Sequence, residues 1–475
     1  MTSVENVEAA ENATENAHVD FPSLRGDADR LNADWLDHLR QVLRARDAYD
    51  LKSLMESLHV SDVGDVMEAI SSDERLTLVT LLGDSFDYSA LTEVDESVRR
   101  DVMEFIPNAE IARGVAEIDS DDAVYILEDL NAVERENILA QMPVFERLSL
   151  KRSLDFPEES AGRRMQADFI AIPPFWTVGQ TIDYLRQEQA LPDEFYQIYV
   201  VNPDYNLFGV IRLDKLLRSL RPVRIEEIMN INVIQVDAEE DQEEAARVFE
   251  RYDLVEVAVV DESQRLVGVL TVDDMVDVIH QEASEDFRAL VGVGNEEISD
   301  SVFDAVKSRT TWLLVNLVTA VLASVIIGLF DASIEQMVAL AVLMPIVASM
   351  GGNAGTQTMT VTVRALAMRD LDQHNIRRLI GRESLVGLAN GVVFALIIGT
   401  VTMVWFGNGP LGVIIGIAMI VNMCAAGISG ILIPLGLEKA GIDPAVASSA
   451  FVTTVTDVVG FFAFLGLAAV WFNLG

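Results

Sequence analysis

The sequence predicts a multidomain membrane protein with four parts: an all-α superhelical N-terminal domain, an α/β repeat domain, an acidic connecting helix and a five-span α-helical membrane domain. Three observations predict it. Helical periodicity alone runs through the first third of the chain, a mixed β and α pattern then occurs twice, and charge-free apolar runs of membrane length fill the last third. We place the parts as follows: a disordered N-terminus over 1–30, the helical domain over 31–160, the repeat domain over 161–283, the connecting helix over 284–310 and the membrane domain over 311–475.

The helical domain is predicted from short amphipathic segments, such as 75–83 and 121–130, which recur between turns. Recurrent helix and turn at this spacing is typical of a small right-angled helical superhelix. The acidic turn at the start of the second segment contains Asp119, Asp121 and Asp122. Asp at the N-cap and in the first turn complements the helix dipole, so a helix start is one interpretation of this turn. A metal site at the same carboxylates is the other.

Two stretches between residues 165 and 282 repeat one another. The segment IYVV at 198–201, followed by FGVI and Asp214, reappears 59 residues later as VAVV at 257–260, VGVL and Asp273. The front halves of the two copies are offset by 64 residues. Each copy reads as strand, helix, strand, turn, strand, helix. The repeat therefore predicts two α/β units with the same fold.

Five apolar runs, the first four charge-free and the last with a single charged residue, reach the length of about 20 residues that a helix needs to cross a bilayer. They are Trp312 to Phe330, Gln336 to Val363, Ser384 to Phe406, Leu411 to Leu437, and Pro444 onward. The connector between the second and third runs carries five arginines, which places it in the cytoplasm by the positive-inside rule. The acidic N-terminal part is then also cytoplasmic and the C-terminus lies outside. We expect an integral protein of the cell (inner) membrane.

Asp457 lies in the middle of the last run, which contains no lysine, arginine or histidine to neutralise it. A carboxylate at membrane depth costs several kcal/mol unless it faces water, a cation or a partner. An ion pathway at Asp457 is therefore the first functional hypothesis.

The second run contains the stretch PIVASMGGNAGTQTMTVT at 345–362, where glycine, amide and hydroxyl groups replace the leucines of a lipid-facing helix. Broken or polar segments at this depth are tolerated where they are buried in protein or line a water-filled cavity. Asn353 and Gln357 are four residues apart and project from one face if the helix continues. This spacing favours pore lining. Close helix packing through small residues is the alternative interpretation.

The charge of the chain is divided unevenly. The total is -41 at pH 7, and only eight acidic and six basic residues follow Thr310, so the first 309 residues carry -39. No basic patch indicates nucleic acid, and so much negative charge argues against an anionic lipid surface as the partner of this part. The charge suits a cation-binding surface. The alternative is that it only keeps the protein soluble in a salty cytoplasm, which five lysines against 29 arginines also fit.

Acidic residues crowd the junction between the repeat domain and the first span. Several of them are three or four residues apart, and like charges at this spacing destabilise an isolated helix. A divalent cation would relieve the repulsion. For any one of these residues a solvated helix face is the alternative.

An enzyme is not expected, because no nucleophile and base pair, P-loop or histidine cluster appears in the chain. The five histidines are scattered over positions 18, 38, 59, 280 and 374. Cys424 is the only cysteine, which excludes an intrachain disulfide framework and a CxxC metal site.

The repeat resembles a tandem CBS domain, a regulatory module whose two copies pair about a pseudo-twofold axis. In CBS domains that bind adenine nucleotides, a Gly-h-h-Thr-x-x-Asp stretch, with h apolar, contacts the ribose. The second copy has this stretch at 268–274, and the resemblance implies Thr271 and Asp274 as contacts to a nucleotide such as ATP. The first copy departs from the pattern with Arg212 and Lys215. A CBS pair with a purely structural role therefore remains the alternative.

The order of the parts resembles the MgtE family of magnesium transporters and channels. The joint PEESAGRRM at 157–165, GGNAGTQ at 351–357 and TTVTD at 453–457 carry the resemblance, which covers nearly the whole chain after residue 30. It implies a homodimer with a pore between the two membrane domains. Asp457 would then face the pore, and Asn353 would lie near it.

The same resemblance implies a cytosolic Mg²⁺ sensor that closes the pore when Mg²⁺ binds. Its carboxylates come from the second CBS copy and the connecting helix, with looser partners in the N-terminal domain. The implied residues are Asp241, Glu243, Asp253, Asp274, Asp277, Glu282, Glu285 and Asp286, and the N-terminal partners are Asp121 and Asp122.

We therefore expect a Mg²⁺-selective channel or transporter that cytosolic Mg²⁺ closes. Mg²⁺ sheds water reluctantly, so one carboxylate per subunit with amide and hydroxyl groups suits a partly hydrated ion. One alternative is a transporter or exchanger for another divalent cation such as Co²⁺ or Ca²⁺. The other is a membrane-anchored CBS sensor that transports nothing.

Overall fold

The computed structural model describes residues 23–26, 30–189, 191–192, 194–293, 302–367 and 373–474. The chain divides into two compact units, Met1–Ile279 and His280–Gly475, and each is described by itself. The disorder that we expected over 1–30 falls almost wholly outside the described residues.

Short helices build the N-terminal domain of the first unit. Their starts follow the sequence: Asn32, Asp47 and Asn131 each accept a backbone N–H of the helix that they precede, and Ser71 forms a capping box with Glu74. Each helix buries one apolar face, and together these faces form one core. The all-α N-terminal domain is confirmed. Its helices are α1 (Ala33–Ala45), α2 (Ala48–Met55), α3 (Val60–Ala69), α4 (Ser72–Leu82), α5 (Glu96–Phe105), α6 (Asn108–Val115), α7 (Ser120–Glu128), α8 (Ala132–Leu139) and α9 (Val144–Leu154).

Two three-stranded sheets of identical topology confirm the predicted α/β repeat. In each, the first strand is parallel to the second, and the second is antiparallel to the third. Both sheets have a register shift at the same place, between Val200 and Val201 in the first and between Val259 and Val260 in the second. The elements of the first copy are β1 (Ala171–Ile172), α11 (Val178–Gln187), β2 (Gln197–Val201), β3 (Leu207–Arg212) and α12 (Leu213–Leu217), preceded by α10 (Ala161–Arg164). Those of the second copy are α13 (Ile225–Ile228), β4 (Gln235–Asp237), α14 (Gln242–Tyr252), β5 (Glu256–Val260) and β6 (Leu266–Thr271).

The joint between the helical domain and the repeat is attached to the second copy, although it leads into the first. The Gly162 N–H donates to the Ala238 oxygen at 2.8 Å, and Gln166 exchanges two backbone hydrogen bonds with Val269. A Cβ at position 162 would lie 2.7 Å from the Ala238 oxygen, so only glycine allows this approach. The N-terminal domain is thereby held close to the second copy.

The acidic helix α15 (Val272–Val291) begins directly after β6, earlier than the expected boundary at 284. Asp273 and Asp274 lie in its first turn, where acidic side chains favour helix initiation, so no loop separates strand from helix. Residues 294–301 lie outside the described part of the chain. The next helix, α16 (Val302–Gly328), already belongs to the first span.

Five helices of the second unit are long and apolar enough to cross a membrane, as predicted. A short helix, α17 (Asp331–Gln336), connects the first two of them. The candidate spans are Ala305–Gly328, Ala339–Ala367, Asn375–Phe406, Gly409–Lys439 and Ser448–Phe472. They belong to α16, α18 (Ala339–Ala367), α19 (Gln373–Phe406), α20 (Gly409–Lys439) and α21 (Pro444–Phe472).

Candidate functional site

Asp457 lies near the middle of α21, and its side chain is half-buried. Among the described residues it has no hydrogen-bond or ion-pair partner. The turn before it contributes Thr453 and Thr454, whose hydroxyls donate to backbone carbonyls of their own helix. A half-buried carboxylate without a protein partner in a membrane span needs water or a cation to balance its charge.

The helix α18 continues through Pro345 and the glycine-rich stretch without a break. Asn353 and Gln357 are both exposed in the protomer and lie on one face, as their spacing predicts. Gly351 and Gly355 of the same stretch are buried. The segment therefore packs closely through its glycine face and exposes its amide face, for which pore lining stays a prediction.

Asn422 of α20 contacts two other spans, α18 and α21. This fully buried residue of α20 donates its Nδ2 hydrogen bond to the Val347 oxygen of α18 at 2.8 Å. A Cβ at Gly351 of α18 would lie 2.1 Å from Asn422 Nδ2, and one at Gly460 of α21 would lie 2.7 Å from it. The side chain thus fills the space beside two glycines, so its role is packing.

The same close approach brings the asparagine turn of α18 to the aspartate turn of α21. A Cβ at Gly352 would lie 3.9 Å from Thr453 Cγ2, and one at Gly355 would lie 2.6 Å from Val452 Cγ1. Gly352 precedes Asn353, and Thr453 lies one turn before Asp457. The glycines therefore place the two predicted pore residues on neighbouring helices at similar positions along them.

A second candidate site lies in the first unit, where Asp121 of α7 meets Asp274 of α15. Asp121 is 7 % exposed, and its Oδ2 accepts a hydrogen bond from Gln166 Nε2 at 3.3 Å. Its Oδ1 is buried and has no hydrogen-bond donor among the described residues. Asp274 accepts from the Thr271 hydroxyl at 2.5 Å. Two carboxylates thus face one another across the junction of the helical domain and the second CBS copy.

The electrostatics of this site favour a cation or a shared proton. Burial, and next the charge of Asp274, raise the pKa of Asp121 well above its usual range. Burial, with Asp274 and Asp119 nearby, raises the pKa of Asp122 to about 7. Burial also raises the pKa of Asp274 to about 6. Carboxylates that hold protons near neutral pH lack enough nearby positive charge or hydrogen-bond donors, so a cation would stabilise their ionised form.

The carboxylates of Asp121 and Asp274 fit a partly hydrated Mg²⁺ better than they fit an ion that needs a full shell of side-chain ligands. Within the described residues, no group of three or more His, Cys, Asp or Glu side chains is arranged to hold a metal. Mg²⁺ keeps several waters and is commonly bound through one or two carboxylates. The orphaned Oδ1 of Asp121 together with Asp274 meets that requirement. The helix start that we predicted at this turn is also present, since α7 begins at Ser120 with Asp119 as its N-cap.

The predicted nucleotide contacts of the second CBS copy, Thr271 and Asp274, lie beside the helical domain. The Thr271 hydroxyl donates to Asp274, which faces Asp121, and neither Thr271 nor Asp274 lines the large cavity of the repeat domain. Their role as ribose contacts stays a prediction.

That cavity, of about 510 Å³, lies between the two copies and includes the positions where the first copy departs from the nucleotide pattern. Arg212 and Lys215 contribute positive charge to its lining. Glu256 forms another part of the lining and is 5 % exposed. It accepts hydrogen bonds from the Tyr199 hydroxyl at 2.6 Å and from the Tyr196 N–H at 3.1 Å. Burial raises the pKa of Glu256.

The other predicted sensor residues of the second copy do not converge within one protomer. Asp241 caps the start of α14 by accepting the Glu243 N–H at 2.9 Å, and Glu243 pairs with Arg247 at 2.5 Å. Asp253 caps the opposite end of the same helix, in the left-handed region with φ 52°. Eleven helical residues span about 16 Å. One ion cannot therefore bridge Asp241 and Asp253 of the same chain.

The remaining predicted sensor residues follow one another along α15, and Asp277 is exposed. Glu282, Glu285 and Asp286 are partly buried and belong to the second unit. Near them, Ala289 packs in an apolar cluster with residues of α18, α20 and α21. The end of the acidic helix therefore touches the same spans that carry the candidate pore residues.

Sequence reasoning missed an arginine that joins three parts of the first unit. Arg164 donates to Glu128 Oε1 of the helical domain and to Gln242 Oε1 of the second copy, each at 3.0 Å. Its guanidinium also lies over the Tyr125 ring, 5.3 Å from the centroid, with Arg99 at 4.5 Å. The two arginines of the joint at 157–165 can be seen in the sequence, but their partners cannot be predicted from it because they are distant in sequence.

Family models match three parts of the chain. The model described as a divalent cation transporter, MgtE, matches residues 344–467, which include the glycine-rich stretch and Asp457. The MgtE intracellular N domain matches residues 58–159, and the CBS domain model matches residues 225–281, the second copy.

Three curated relatives carry the name magnesium transporter MgtE. The Enterococcus faecalis protein is 36 % identical over 322 residues, covering 68 % of this chain and 71 % of the relative. The Thermus thermophilus protein is 30 % identical over 443 residues, covering 90 % and 97 %. The Bacillus subtilis protein is 29 % identical over 438 residues, covering 92 % and 97 %.

Two solved structures are similar to about half of the chain. One is the cytosolic domain of the Mg²⁺ channel MgtE in complex with ATP, with 27 % identity, a TM-score of 0.49, and coverage of 51 % of this chain and 99 % of that one. The other is the soluble part of a magnesium transporter, with 26 % identity, a TM-score of 0.46, and coverage of 52 % and 98 %. From the matches along nearly its full length, the chain belongs to the MgtE family of divalent cation transporters.

Proposed function

We propose that this protein carries Mg²⁺ across the cell (inner) membrane along a path past Asp457 and Asn353. The observation that carries the proposal is the half-buried Asp457 carboxylate, which has no partner among the described residues. The relatives named as magnesium transporters support Mg²⁺ as the transported ion. Amide, hydroxyl and single carboxylate groups suit an ion that keeps part of its water shell.

The path forms between two copies of the chain in this proposal. Asn353 and Gln357 are exposed on the protomer surface, and polar side chains are costly against lipid. A twofold axis beside α18 and α21 would cover them with the same face of the partner. It would also bring two Asp457 carboxylates together, and a cation between them would balance their charge.

Cytosolic Mg²⁺ closes the path by bridging carboxylates of the first unit, of which Asp121 and Asp274 are the best placed. The buried, donor-free Oδ1 of Asp121 supports an ion at this point. Asp274 lies in the first turn of α15, and the last turn of that helix packs against spans α18, α20 and α21. In this proposal, α15 carries the change at the carboxylates toward the pore helices, because it contains both Asp274 and the turn that packs on the spans.

The energies are sufficient if several weak sites act together. Moving a two-state equilibrium from 1:99 to 99:1 takes about 5.5 kcal/mol. One site at ten times its dissociation constant, present in one state only, supplies about 1.4 kcal/mol. Roughly four such sites are therefore needed, and the carboxylates of α14 and α15 offer enough ligands.

A second activity, nucleotide binding, is supported by the cavity between the CBS copies. Its volume of about 510 Å³ is within the range of small-molecule sites. Arg212 and Lys215 suit the phosphates of an adenine nucleotide such as ATP. Titration calorimetry with ATP should give binding that Arg212→Gln weakens about tenfold, whereas Arg218→Gln, outside the cavity lining, leaves it unchanged. Equal binding by both variants would remove this proposal.

Mg²⁺ influx into proteoliposomes tests the main proposal. We expect influx at low Mg²⁺ on the side of the acidic N-terminal part, and loss of influx as Mg²⁺ on that side rises. Asp457→Asn should abolish influx, since it removes the charge without changing the side-chain size. Asp331→Asn is the matched control, because Asp331 is exposed and lies outside the candidate spans.

The outcomes separate the alternatives. Influx that is indifferent to Asp457 would place the path elsewhere. Competition by Co²⁺ or Ca²⁺ at equal concentration would indicate a transporter for another divalent cation. The complete absence of flux would favour a membrane-anchored sensor that transports nothing.

A further inference from the structure

A polar cavity of about 180 Å³ lies in the membrane unit where α18, α19 and α20 meet. The proposed ion path does not account for it. Its polar lining combines one acid, one base, two amides and one hydroxyl: Glu383, Arg382, Gln357, Asn390 and Thr358.

Glu383 is buried and poorly satisfied. It is 6 % exposed, and among the described residues its Oε2 accepts one hydrogen bond, a long one of 3.3 Å from the Thr358 hydroxyl. Its Oε1 lies 3.5 Å from Arg382 Nε, an ion pair that is too long for a hydrogen bond of normal strength. Charge-assisted hydrogen bonds are usually about 2.7–2.9 Å long. A buried carboxylate with such weak contacts still needs a donor.

Arg382 is the complementary half of the site. Its side chain is 67 % exposed, and Glu383 is its one ion-pair partner among the described residues. A guanidinium has five N–H donors in a rigid fork that matches phosphate oxygens. The cavity wall therefore presents one unsatisfied acceptor and one unsatisfied set of donors side by side.

The depth of the cavity points to the headgroup region of a bilayer. The third span, Asn375–Phe406, has 32 residues, or about 48 Å of helix, whereas the hydrocarbon core is about 30 Å thick. The charge-free part, from Ser384 to Phe406, is about 34 Å long and already covers the core. Arg382 and Glu383 precede it directly, so they lie at the edge of the core.

We propose that the cavity binds the headgroup of a bilayer phospholipid that carries hydrogen-bond donors beyond its phosphate, such as phosphoethanolamine or phosphoglycerol. The phosphate accepts from Arg382. The ammonium or hydroxyl end donates to Glu383 and to the amide oxygen of Asn390. A bare cation would pair with Glu383 but would be repelled by Arg382. A bare anion would pair with Arg382 but would be repelled by Glu383. Choline has no N–H or O–H donor, so phosphatidylcholine should bind poorly.

The test uses the purified, delipidated full-length protein in micelles. Its thermal unfolding is followed after addition of phosphatidylethanolamine, phosphatidylglycerol or phosphatidylcholine, and bound lipid is counted by native mass spectrometry. We expect the first two lipids to raise Tm by about 2–5 °C with one lipid retained per protomer, and phosphatidylcholine to do neither. Glu383→Gln and Arg382→Gln should lose the shift. Glu438→Gln and Arg377→Gln should keep it, because both residues are exposed and do not line the cavity.

Three results would overturn the inference. Equal shifts with all three lipids would mean that the headgroup is not recognised. Unchanged shifts in both cavity variants would place the lipid elsewhere and leave only water in the cavity. A Mg²⁺-induced shift in lipid-free micelles that Glu383→Gln removes would indicate a cation site instead. Arg382 is mostly exposed, so Arg382→Gln still decides the question if Glu383→Gln fails to fold. Because the readout is lipid binding rather than flux, the result is independent of the proposed transport.

Discussion

At the scale of single residues, aspartate side chains have different roles according to how deeply they are buried and what surrounds them. Asp119 caps a helix, Asp121 two residues later is buried against Asp274, and Asp457 is half-buried in a membrane span. All three are aspartates in or beside helices. Burial without a donor, rather than residue type, makes the last two the candidates for ion binding that we propose.

The effect of an Asp121 substitution on the stability of the chain should change sign when Mg²⁺ is added. Asp121→Asn removes one of two facing buried carboxylates, so the chain without Mg²⁺ should be more stable than wild type. With Mg²⁺ present, the variant should gain less stability, because an ion ligand is missing. Thermal unfolding of the full chain in EDTA and in Mg²⁺ measures both effects. Asp84→Asn is the control, since Asp84 is largely exposed and pairs with Arg113 at the surface; a Mg²⁺ response of Asp121→Asn equal to wild type would contradict the site.

The response to Mg²⁺ should depend on pH. The pKa of Asp122 is raised to about 7 and that of Asp274 to about 6, so without Mg²⁺ both bind more protons in the folded than in the unfolded chain over this range. The stability that these protons contribute is present at low pH and lost as pH rises through about 6 to 7. Mg²⁺ should therefore raise Tm more at pH 8 than at pH 5.5. A Mg²⁺ shift of equal size at both values would show that these carboxylates do not bind the ion.

At the scale of elements, helix contacts in the membrane unit depend on missing side chains. Gly351 and Gly460 leave room for Asn422, and Gly355 leaves room for Val452. The hydrogen bond from Asn422 to the Val347 oxygen then holds α18 and α20 in register. Small residues at interfaces allow membrane helices to pack closely. This packing matters because lipid is as apolar as the helix surfaces, so the hydrophobic effect does not drive the helices together.

Gly351→Ala should destabilise the membrane unit by about 1–3 kcal/mol, because the new Cβ would overlap the held Asn422 amide. Unfolding in mixed micelles of increasing denaturant measures this loss. Gly436→Ala is the control, since nothing lies within 4 Å of a Cβ there and alanine favours the helix. The double variant with Asn422→Ala should recover part of the loss; no recovery would mean that the overlap is not the cause.

The attachment of the helical domain should depend on Arg164 more than on exposed ion pairs. Arg164→Gln loses its charge-assisted bond to Glu128, and we expect a cost of about 1.5–3 kcal/mol. Arg221→Gln breaks a shorter pair, 2.6 Å, with Asp183 in the first copy, but both side chains are about half exposed, so the cost should stay below about 1 kcal/mol. Limited proteolysis at the joint 157–165 and thermal unfolding measure the difference. Similar cleavage rates for the two variants would contradict the role of Arg164.

At the scale of the whole molecule, an acidic N-terminal part carrying -39 precedes a nearly neutral membrane part. The negative charges of the first part repel one another, and bound cations or salt reduce the repulsion. The transport and the sensing that we propose would both use this deficit of positive charge. The pore that we propose further requires a second copy.

Cross-linking tests that arrangement. Cys424 is the only cysteine, so Cys424→Ser provides a cysteine-free background. In that background, Asn353→Cys should cross-link into a dimer with a short bis-maleimide in membranes, because Asn353 would lie near the twofold axis. Val413→Cys is exposed on α20 and should remain monomeric on denaturing gels. Equal cross-linking at both positions would indicate random collision, and none at Asn353 would argue against a pore between copies.

Local rules predicted the order of the parts, the repeat and the five spans. Apolar run length is set by bilayer thickness, and strand and helix periods are set by backbone geometry, so neither needs knowledge of distant contacts. The offset of 59 residues between copies appears unchanged between β2 and β5, at Gln197 and Glu256. Asp457 was identifiable because a lone charge in an apolar run is conspicuous.

Contacts between distant segments required the folded chain. Asp121 and Asp274 are far apart in sequence, and only the folded chain brings the two carboxylates together. Glu383 looked like part of a charged connector, yet three helices bury it beside a cavity. Desolvation of a side chain depends on which surfaces pack around it, and packing is a property of the whole chain rather than of any window of sequence.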